Sequence, residues 1–476
     1  MIEPRYRQQT LYEQALANFM PDYKKLLWEA WMLKVDELLA KDELVEMVHR
    51  ALQRRHPQSG TRGRKGHPAE VVLRLLVLKH LKNWSYETLE QEVRPNLVYR
   101  EFARIGGETV PDAKTMVRWG KALGPEVIRQ IHEKVVKASQ QTQLVSGRKM
   151  RVDTTVVETN IHYPTDSTLL GDGVRVLTRA MRRIQRESGK AGTRLRSRLR
   201  SVKHRLIEIG RAAKERSTQA QEKIKRSYEK LIGTTRQILS QARTFVEEVA
   251  SGIKQASTPL GDIRIKVWVE QLKRFGQLTE RVLEQTQARV IEGNTHFKTK
   301  LLSLFEQHTE AIRRGKAAKP TEFGKMVKIQ EAEHQIITDY EVFEKRPVDA
   351  DLLQSSIQTH DKLLGRVPKL VAADAGFFSA DNQSKAKEQG IEKLAVPNKR
   401  TRSRAQWQHQ RQRWFRRAQR WRVGCEGRIS VLKHKHGLLR CRYQGMDGME
   451  RWVGLGAIAN NLIQIGKHLA KKPAHA

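Results

Sequence analysis

The chain has 476 residues, of which 90 are Lys or Arg and 52 are Asp or Glu, so its formal net charge at pH 7 is +38. This excess predicts a polyanionic partner, and nucleic acid is favoured over an anionic membrane surface because cationic side chains gain affinity by releasing the counterions of phosphates. Two cysteines are too few for a disulfide-stapled secreted domain, and no apolar run is long enough to predict a membrane span. We expect a cytoplasmic, nucleoid-associated protein that binds double-stranded DNA.

The N-terminal part of the chain is predicted to be helical in two sections. Residues 1–65 combine helix-like apolar spacing with a basic, Gly-rich linker at their end. Residues 66–142 read as a small helical domain, in which Pro68 can start one helix, Ser85 can cap a second and Pro111 can open a third, basic helix. Short helices with a basic last member are typical of helix-turn-helix domains, so we predict that residues 66–142 bind DNA.

Strand signals occur in two separated parts of the chain. Apolar alternation predicts a strand at 150–157 and a hairpin at 326–343, after which helices and short strands alternate up to a long basic helix at 403–436. This order predicts an α/β fold with a mixed sheet flanked by helices, formed by residues 143–176 and 319–476.

The interval 177–318 shows little strand character, and we predict a helical, coiled-coil-like insertion there. A shorter apolar repeat from Phe297 to His308 predicts a helix that returns along the first. Between Arg175 and Arg236 there are 20 Lys or Arg and five Glu, which is too unbalanced for an ordinary helix surface. The insertion therefore either tracks along DNA or serves as a solvated spacer or dimerisation arm. The 4,3 repeat that indicates the first long helix consists of Ile224, Tyr228, Leu231, Thr235, Ile238, Ala242, Phe245 and Val249.

Three carboxylates are candidates for catalysis and for metal binding. Asp153 lies on the first predicted strand, Asp374 directly follows a later strand, and Glu426 is the one acidic residue among 15 Lys or Arg between positions 398 and 442. If those two strands are neighbours, the three side chains converge at the ends of the strands. Oxygen-only ligands suit Mg²⁺ or Mn²⁺, and two such ions can activate an attacking oxygen and stabilise the leaving oxygen in phosphodiester cleavage.

Other polar residues of the same regions have simpler explanations. Asp166 is an alternative first ligand, but it more simply caps the following helix, and Gly171-Asp172-Gly173 is more simply a turn. The tryptophans at 407, 414 and 421 recur every seven residues, which favours core packing over stacking on bases. The following cysteines and histidines match no common zinc-finger spacing: Cys425, His434, His436 and Cys441.

Several motifs resemble those of the DDE-type bacterial insertion-sequence transposases, whose catalytic domain has the ribonuclease-H-like fold. The N-terminal helices similarly resemble the DNA-binding N-terminal domain of this group. The motifs are Val152-Asp-Thr-Thr-Val-Val157 with His162-Tyr-Pro-Thr-Asp-Ser167, Val371-Ala-Ala-Asp-Ala-Gly-Phe377, Arg422-x₃-Glu426-x₆-Lys433, and Gly454-Leu-Gly-Ala-Ile-Ala-Asn-Asn461.

The resemblance implies a function for the candidate residues. It implies that Asp153, Asp374 and Glu426 bind two divalent metal ions, Mg²⁺ or Mn²⁺, and that Arg422 and Lys433 contact DNA. The implied activity is cleavage of phosphodiester bonds at the ends of a mobile element and joining of the 3′-hydroxyl ends to target DNA, by a homodimer.

One position departs from the family pattern, and two other functions stay open. A related pattern has Tyr three residues before the Arg, where this chain has Gln419, so a role of that Tyr is not carried over. The alternative functions are a metal-dependent DNA nuclease of the same fold, which cuts without joining, and a DNA-binding protein without catalysis.

Overall fold

The computed structural model describes residues 2–5, 18–20, 23–54, 58, 66–297, 300–313 and 320–471. The chain divides into two compact units, which we call the sheet unit, Met1–Asn160 with Glu310–Ala476, and the helical unit, Ile161–Thr309. The predicted linker at 59–65 lies outside the described residues. Among the described helices, none combines the length and the apolar character that a membrane crossing requires.

Seven helices precede the sheet in the described part of the sheet unit. The predicted cap is confirmed, because the Ser85 side chain accepts a hydrogen bond from the Thr88 amide. The helix expected to open at Pro111 is capped by Asp112, whose side chain accepts from the Thr115 amide. The helix that Asp112 caps continues through a kink at Gly124, where φ is 70°. The helices are α1 Tyr23–Leu27, α2 Ala30–Leu39, α3 Asp42–Gln53, α4 Ala69–Lys82, α5 Tyr86–Val93, α6 Leu97–Phe102 and α7 Ala113–Gln141.

A six-stranded mixed sheet forms the centre of this unit, which confirms the predicted α/β class. Its order is β2-β3-β1-β5-β6, and β4 also pairs with β3. β1 is antiparallel to β3 but parallel to β5, which is in turn parallel to β6. The expected adjacency of β1, which carries Asp153, and β5, which precedes Asp374, is therefore present. The strands are β1 Lys149–Glu158, β2 Glu310–Arg313, β3 Thr321–Glu331, β4 Ile337–Val342, β5 Leu370–Ala372 and β6 Lys393–Ala395.

Helices cover both faces of the sheet. Val152 and Val371 pack with Leu353 and Ile357 on one face, whereas Ala372 packs with two residues of a long helix, Phe415 and Ala418, on the other. The single helix predicted at 403–436 is instead two helices, because the backbone at Gln412 is extended, with ψ 145°. These helices are α12 Leu352–Leu364, α13 Ala380–Glu388, α14 Arg404–Arg411, α15 Arg413–Lys435 and α16 Gly445–Lys471.

In its described residues, the helical unit contains four α-helices and a short π-helix, Gln287–Ile291, rather than a two-helix hairpin. The α-helices are α8 Asp166–Ser188, α9 Leu199–Ala212, α10 Thr218–Ala250 and α11 Pro259–Thr286. The 4,3 repeat lies on α10, and its central residues, Leu231 to Phe245, are buried in the core that this unit forms with its own helices. Because the apolar seam is covered within the unit, it does not offer a free coiled-coil surface for dimerisation.

Two local predictions in and beside this unit are wrong. Described residues 292–297 and 300–309 form no helix, and Leu301 and Leu304 instead fill the core of the unit from irregular backbone. β2 also lies in the interval that was expected to be helical, because β3 offers it a pairing edge.

The predicted turn at Gly171-Asp172-Gly173 is also wrong, since these residues lie inside α8. A Cβ at Gly173 would come within 2.5 Å of Thr279 Oγ1, so the glycine allows α8 and α11 to pack closely. Asp166 is not the cap of α8 either. Thr165 caps this helix, and the side chains of Thr165 and Thr168 form a capping box.

Candidate active site

Of the two candidate aspartates, Asp153 lies on β1 and Asp374 follows the neighbouring strand β5. Asp153 is almost buried in the middle of β1, and its Oδ1 accepts a hydrogen bond of 2.7 Å from the Thr154 amide. β5 pairs with β1 so that Ala372 lies opposite Arg151. Asp374 follows the last residue of β5 by two positions, so a continued parallel register would set its backbone beside that of Asp153.

The long helix α15 brings Glu426 to Asp153 through Arg422. Arg422 Nη1 lies 2.9 Å from Glu426 Oε1 and 3.6 Å from Asp153 Oδ2. The side chain of Asp153 is 12% exposed, whereas that of Glu426 is 58% exposed. Two of the three predicted carboxylates therefore share one guanidinium group. Among the ion pairs of the described residues, none includes Asp374.

The three carboxylates do not form a ready-made metal site. Within the described ranges, no group of three His, Cys, Asp or Glu side chains is arranged to hold a metal ion. The donor set itself fits a hard divalent cation, because it offers only carboxylate oxygens. Arg422 supplies the positive charge between Asp153 and Glu426, so a metal ion shared by these two carboxylates requires Arg422 to move. The high exposure of Glu426 leaves room for that change.

Lys433, the second predicted DNA-contacting residue, lies on the same helix. It is half-buried and follows Glu426 by seven residues, which is almost two helical turns, so Arg422, Glu426 and Lys433 share one side of α15.

A basic groove lies beside the first half of α15. Its volume is 1230 Å³, and its lining includes Trp414 and Trp421. Both tryptophans are half-buried and pack against the core cluster of Ala372, Ala395, Phe415 and Ala418, as core packing predicts. Trp407 is 53% exposed and does not belong to that cluster. The cations of the groove are Lys149, Lys393, Arg413, Arg416, Arg417 and Arg420.

A buried ion pair fixes α15 on the sheet next to the candidate site. Arg151 of β1 lies opposite Glu331 of β3, and its Nε donates to Glu331 Oε2 at 3.0 Å. The same guanidinium donates to the carbonyl of Trp421 and lies 4.9 Å from the centre of its ring. Burial raises the pKa of Glu331, and the neighbouring Arg151 opposes this rise. Trp421 immediately precedes Arg422, so this contact fixes the backbone from which the Arg422 side chain extends.

Gln419 connects α15 to the strand end that carries Asp374. Its amide nitrogen donates to the carbonyl of Ala373 at 3.2 Å and to the carbonyl of Ala395. These carbonyls lie at the ends of β5 and β6. Sequence reasoning assigned no role to Gln419, because its partners become neighbours only when the sheet forms.

The asparagines of the 454–461 motif have structural roles. Asn461 exchanges two hydrogen bonds with the backbone of Ile337, at 2.9 and 2.7 Å, and so holds α16 at the start of β4. Asn460 Oδ1 accepts from Arg428 Nη1 at 2.8 Å. Both asparagines are buried with their polar atoms paired, as buried amides require.

The alternative metal ligands have other partners. In the helical unit, Asp166 Oδ2 lies 3.0 Å from Arg289 Nη1, and Asp172 pairs with both His162 and Arg175. Each of these aspartates is thus already neutralised.

The cysteines and histidines considered for zinc are not arranged as a site. Burial raises the pKa of the Cys425 thiol, and the nearby Glu331 and Asp153 carboxylates raise it further, so the thiolate that zinc binds is disfavoured. The Cys441 thiol donates to the carbonyl of Tyr443, and His436 Nδ1 lies 3.2 Å from the carbonyl of His80.

Two family models match the chain. Residues 29–122 match the model described as Transposase domain (DUF772), and residues 382–466 match the model described as Transposase DDE domain. The second segment contains Arg422, Glu426 and Lys433. An uncharacterized protein from Rhizobium meliloti, ORF8 in the nfe locus, is 30% identical over 139 residues, which are 28% of this chain and 67% of that protein. No solved structure matches the chain.

Proposed function

The chain belongs to the DDE-type insertion-sequence transposases, and from this membership we propose that it binds the ends of its element, cleaves phosphodiester bonds there and joins the freed 3′-hydroxyl ends to target DNA. Its mixed α/β sheet with flanking helices agrees with a ribonuclease-H-like catalytic domain. The observation that carries the proposal is the shared contact of Asp153 and Glu426 with Arg422 Nη1, because it joins residues from distant parts of the chain at one point.

Asp153, Asp374 and Glu426 are proposed to hold two divalent ions, Mg²⁺ or Mn²⁺. When bound, such ions activate an attacking oxygen and stabilise a leaving oxygen. Arg422 is proposed to leave the carboxylates and bind a phosphate of the element end, with Lys433 contacting the same DNA. A guanidinium suits both tasks, because it pairs with carboxylates and with phosphates.

The reaction has two steps at phosphorus. In the first step a water oxygen bonds to phosphorus and the 3′-oxygen leaves as the 3′-hydroxyl. In the second step that hydroxyl oxygen bonds to a target phosphorus, and the 3′-oxygen of the target strand leaves. The proton of each attacking oxygen passes to solvent, and each leaving oxygen takes one up.

Other parts of the chain are assigned by the same proposal. Residues 66–142 are proposed to bind the element end, and residues 143–176 with 319–476 to form the catalytic domain. The net charge of +38 suits a nucleoid-associated protein, and two copies would pair the two ends.

The test is a cleavage and strand-transfer assay with labelled element-end duplex, target plasmid and Mg²⁺ or Mn²⁺. Asp374→Asn should lower cleavage by more than about 100-fold, the upper end of the loss seen when only an outer-shell partner of a metal ligand is removed. Its affinity for the same duplex should stay close to that of the wild type.

Asp349→Asn is the matched control. Asp349 is a nearby carboxylate whose Oδ1 lies 3.2 Å from Thr154 Oγ1, a contact that an amide oxygen can keep. This variant should cleave normally. Nicked products without joined products would support the nuclease instead, and a wild-type protein that binds but never cuts would support the DNA-binding alternative.

A further inference from the structure

A row of arginines follows the exposed side of α8 in the helical unit. Arg175, Arg179, Arg182 and Arg186 are separated by four, three and four residues, so they share one face of the helix. All four are exposed. Arg175 pairs with Asp172, whereas Arg179, Arg182 and Arg186 have no ion pair among the described residues.

A second set of arginines lies on residues 193–198, a segment whose backbone is hydrogen-bonded to side chains of α8 and α10. The Leu195 amide donates to Gln185 of α8 at 3.1 Å, and the Arg196 amide donates to Gln241 of α10 at 3.0 Å. The Thr193 amide is held in the same way by Glu248, at 2.7 Å. Leu195 packs against the core of the unit, while the arginines at 194, 196 and 198 are exposed.

The acidic residues of this region are already paired. Between positions 166 and 212 there are four acidic residues, and each contacts a cation of the same unit. The pairs are Asp166 with Arg289, Asp172 with Arg175, Glu187 with Arg264, and Glu208 with Arg205. None of the arginines 179, 182, 186, 194, 196 and 198 takes part in an ion pair of the described residues.

Fixed backbone distinguishes this surface from an ordinary solvated charge run. The arginines repel one another because they carry like charges. The hydrogen bonds of Gln185, Gln241 and Glu248 nevertheless fix the backbone of residues 193–196 against the helices. Such an arrangement is favourable when an anionic partner supplies the missing negative charge.

We propose that the six arginines at 179, 182, 186, 194, 196 and 198 form a binding surface for the phosphate backbone of duplex DNA, without base specificity. We call them the arginine surface. Guanidinium groups bind phosphates in two-pronged pairs, and on α8 the three arginines extend over seven residues, about 10 Å of helix, which spans several phosphates of a duplex.

Duplex DNA is favoured over single-stranded DNA because Arg183 covers the indole ring of Trp268, which lies near these arginines. Arg183 lies 4.0 Å from the centre of the Trp268 ring, so this ring is not free to stack on an unpaired base. The proposal rests on the proposed function only in taking DNA as the partner.

The test measures how the full-length protein binds a duplex of unrelated sequence, with a metal chelator present so that cleavage does not enter. The variant carries Arg179→Gln, Arg182→Gln and Arg186→Gln, and fluorescence anisotropy follows binding at increasing salt. The slope of log affinity against log salt is negative, at about −0.9 for each phosphate contact. If three contacts are lost, the slope should become less negative by roughly 2.7.

A matched variant removes the same charge from another helix of the unit. Lys223, Lys225 and Lys230 are exposed on α10, and changing all three to Gln should leave most of the slope intact. The proposal is overturned if the salt slope changes equally in both variants, or if it does not change in the arginine variant. Unchanged circular dichroism and thermal melting are required of both variants, because the exposed positions carry no core packing.

A second readout locates the contact directly. Duplex DNA should protect Arg179, Arg182 and Arg186 from modification by phenylglyoxal, measured by mass spectrometry on the wild-type protein, and lack of protection would contradict the proposal. Binding to vesicles of phosphatidylcholine and phosphatidylserine tests the rival partner: if the arginine variant loses vesicle binding but keeps its DNA slope, the surface serves a membrane. None of these outcomes depends on whether the carboxylates cleave DNA, so the two proposals fail separately.

Discussion

Asp153 and Glu426 lie against the same guanidinium nitrogen, with Arg422 Nη1 3.6 Å from Asp153 Oδ2 and 2.9 Å from Glu426 Oε1. One carboxylate comes from the central strand and the other from α15. Without a cation between them, their negative charges would repel each other. Arg422 therefore supplies the positive charge that the proposed divalent ion would replace.

Replacing Arg422 by Gln should make the protein respond more strongly to Mg²⁺. The variant loses the cation that neutralises Asp153 and Glu426, so the repulsion between these carboxylates remains until a metal ion binds. We expect thermal melting with and without Mg²⁺ to show a larger upward shift for Arg422→Gln than for the wild type. Arg420→Gln, which changes an exposed residue of the same helix, should show the same Mg²⁺-induced change in melting temperature as the wild type. A smaller change for Arg422→Gln than for the wild type would rule out competition between Arg422 and the metal ion for the carboxylates.

Replacing Gln419 by Ala should weaken cleavage without weakening DNA binding. The amide of Gln419 donates to the carbonyls of Ala373 and Ala395, so its loss leaves the backbone next to Asp374 less fixed. The expected loss in cleavage rate is about 10-fold to 100-fold, as for other groups that orient a metal ligand. The variant should also need more Mg²⁺ for half-maximal cleavage.

Gln408→Ala is the control for this experiment, because Gln408 is exposed on α14. A purely structural role of Gln419 would lower the melting temperature but leave the Mg²⁺ dependence unchanged.

Removing one partner of the Arg151–Glu331 pair should destabilise the sheet unit. Arg151→Met leaves the Glu331 carboxylate buried, at an expected cost of about 3 kcal/mol, the lower end for breaking a buried ion pair. The lower end applies because the positive charge of Arg428 also acts on Glu331. The midpoint of urea unfolding reports this loss. The double variant Arg151→Met with Glu331→Leu should recover much of it, and a double variant as unstable as Arg151→Met would contradict the electrostatic explanation.

Lys79 should make stability depend on pH. It is buried on α4, with the rings of Tyr86, Tyr443 and Trp452 within 4.6 to 5.0 Å of Nζ. Burial and, to a lesser extent, the positive charge of Arg442 together lower the pKa of Lys79 from 10.5 to about 7. Between pH 7 and 10.5 the folded state thus binds fewer protons than the unfolded state, so stability should rise with pH in this window.

Thermal melting of Lys79→Met and of the wild type at several pH values tests this dependence. The neutral variant should be more stable than the wild type near pH 7, and the difference should shrink as pH approaches 10. Lys82→Met, a change three residues later on the same helix, should show a pH-independent difference. A constant difference for Lys79→Met would mean that the aromatic rings fully compensate for burial.

Local structure was predictable where it depends on neighbouring residues. Ser85 caps a helix because its hydroxyl reaches an amide three residues later, and β1 follows from the alternation of its side chains. The same reasoning failed between Phe297 and His308, because Leu301 and Leu304 can also fill a core from irregular backbone. It failed again at β2, a strand of only four residues that pairs antiparallel with β3, the next strand along the chain.

By itself, the sequence determined the net charge, most of the helices and strands, and the three carboxylates that deserve testing, since these follow from composition, local spacing and motif. Only the tertiary structure decided that Arg422 lies between Asp153 and Glu426, that Arg151 meets Glu331, and that the α10 seam is covered inside its own unit. It also decided which arginines lack an acidic partner. Strand order, register and helix packing bring distant residues together, and no local pattern encodes them.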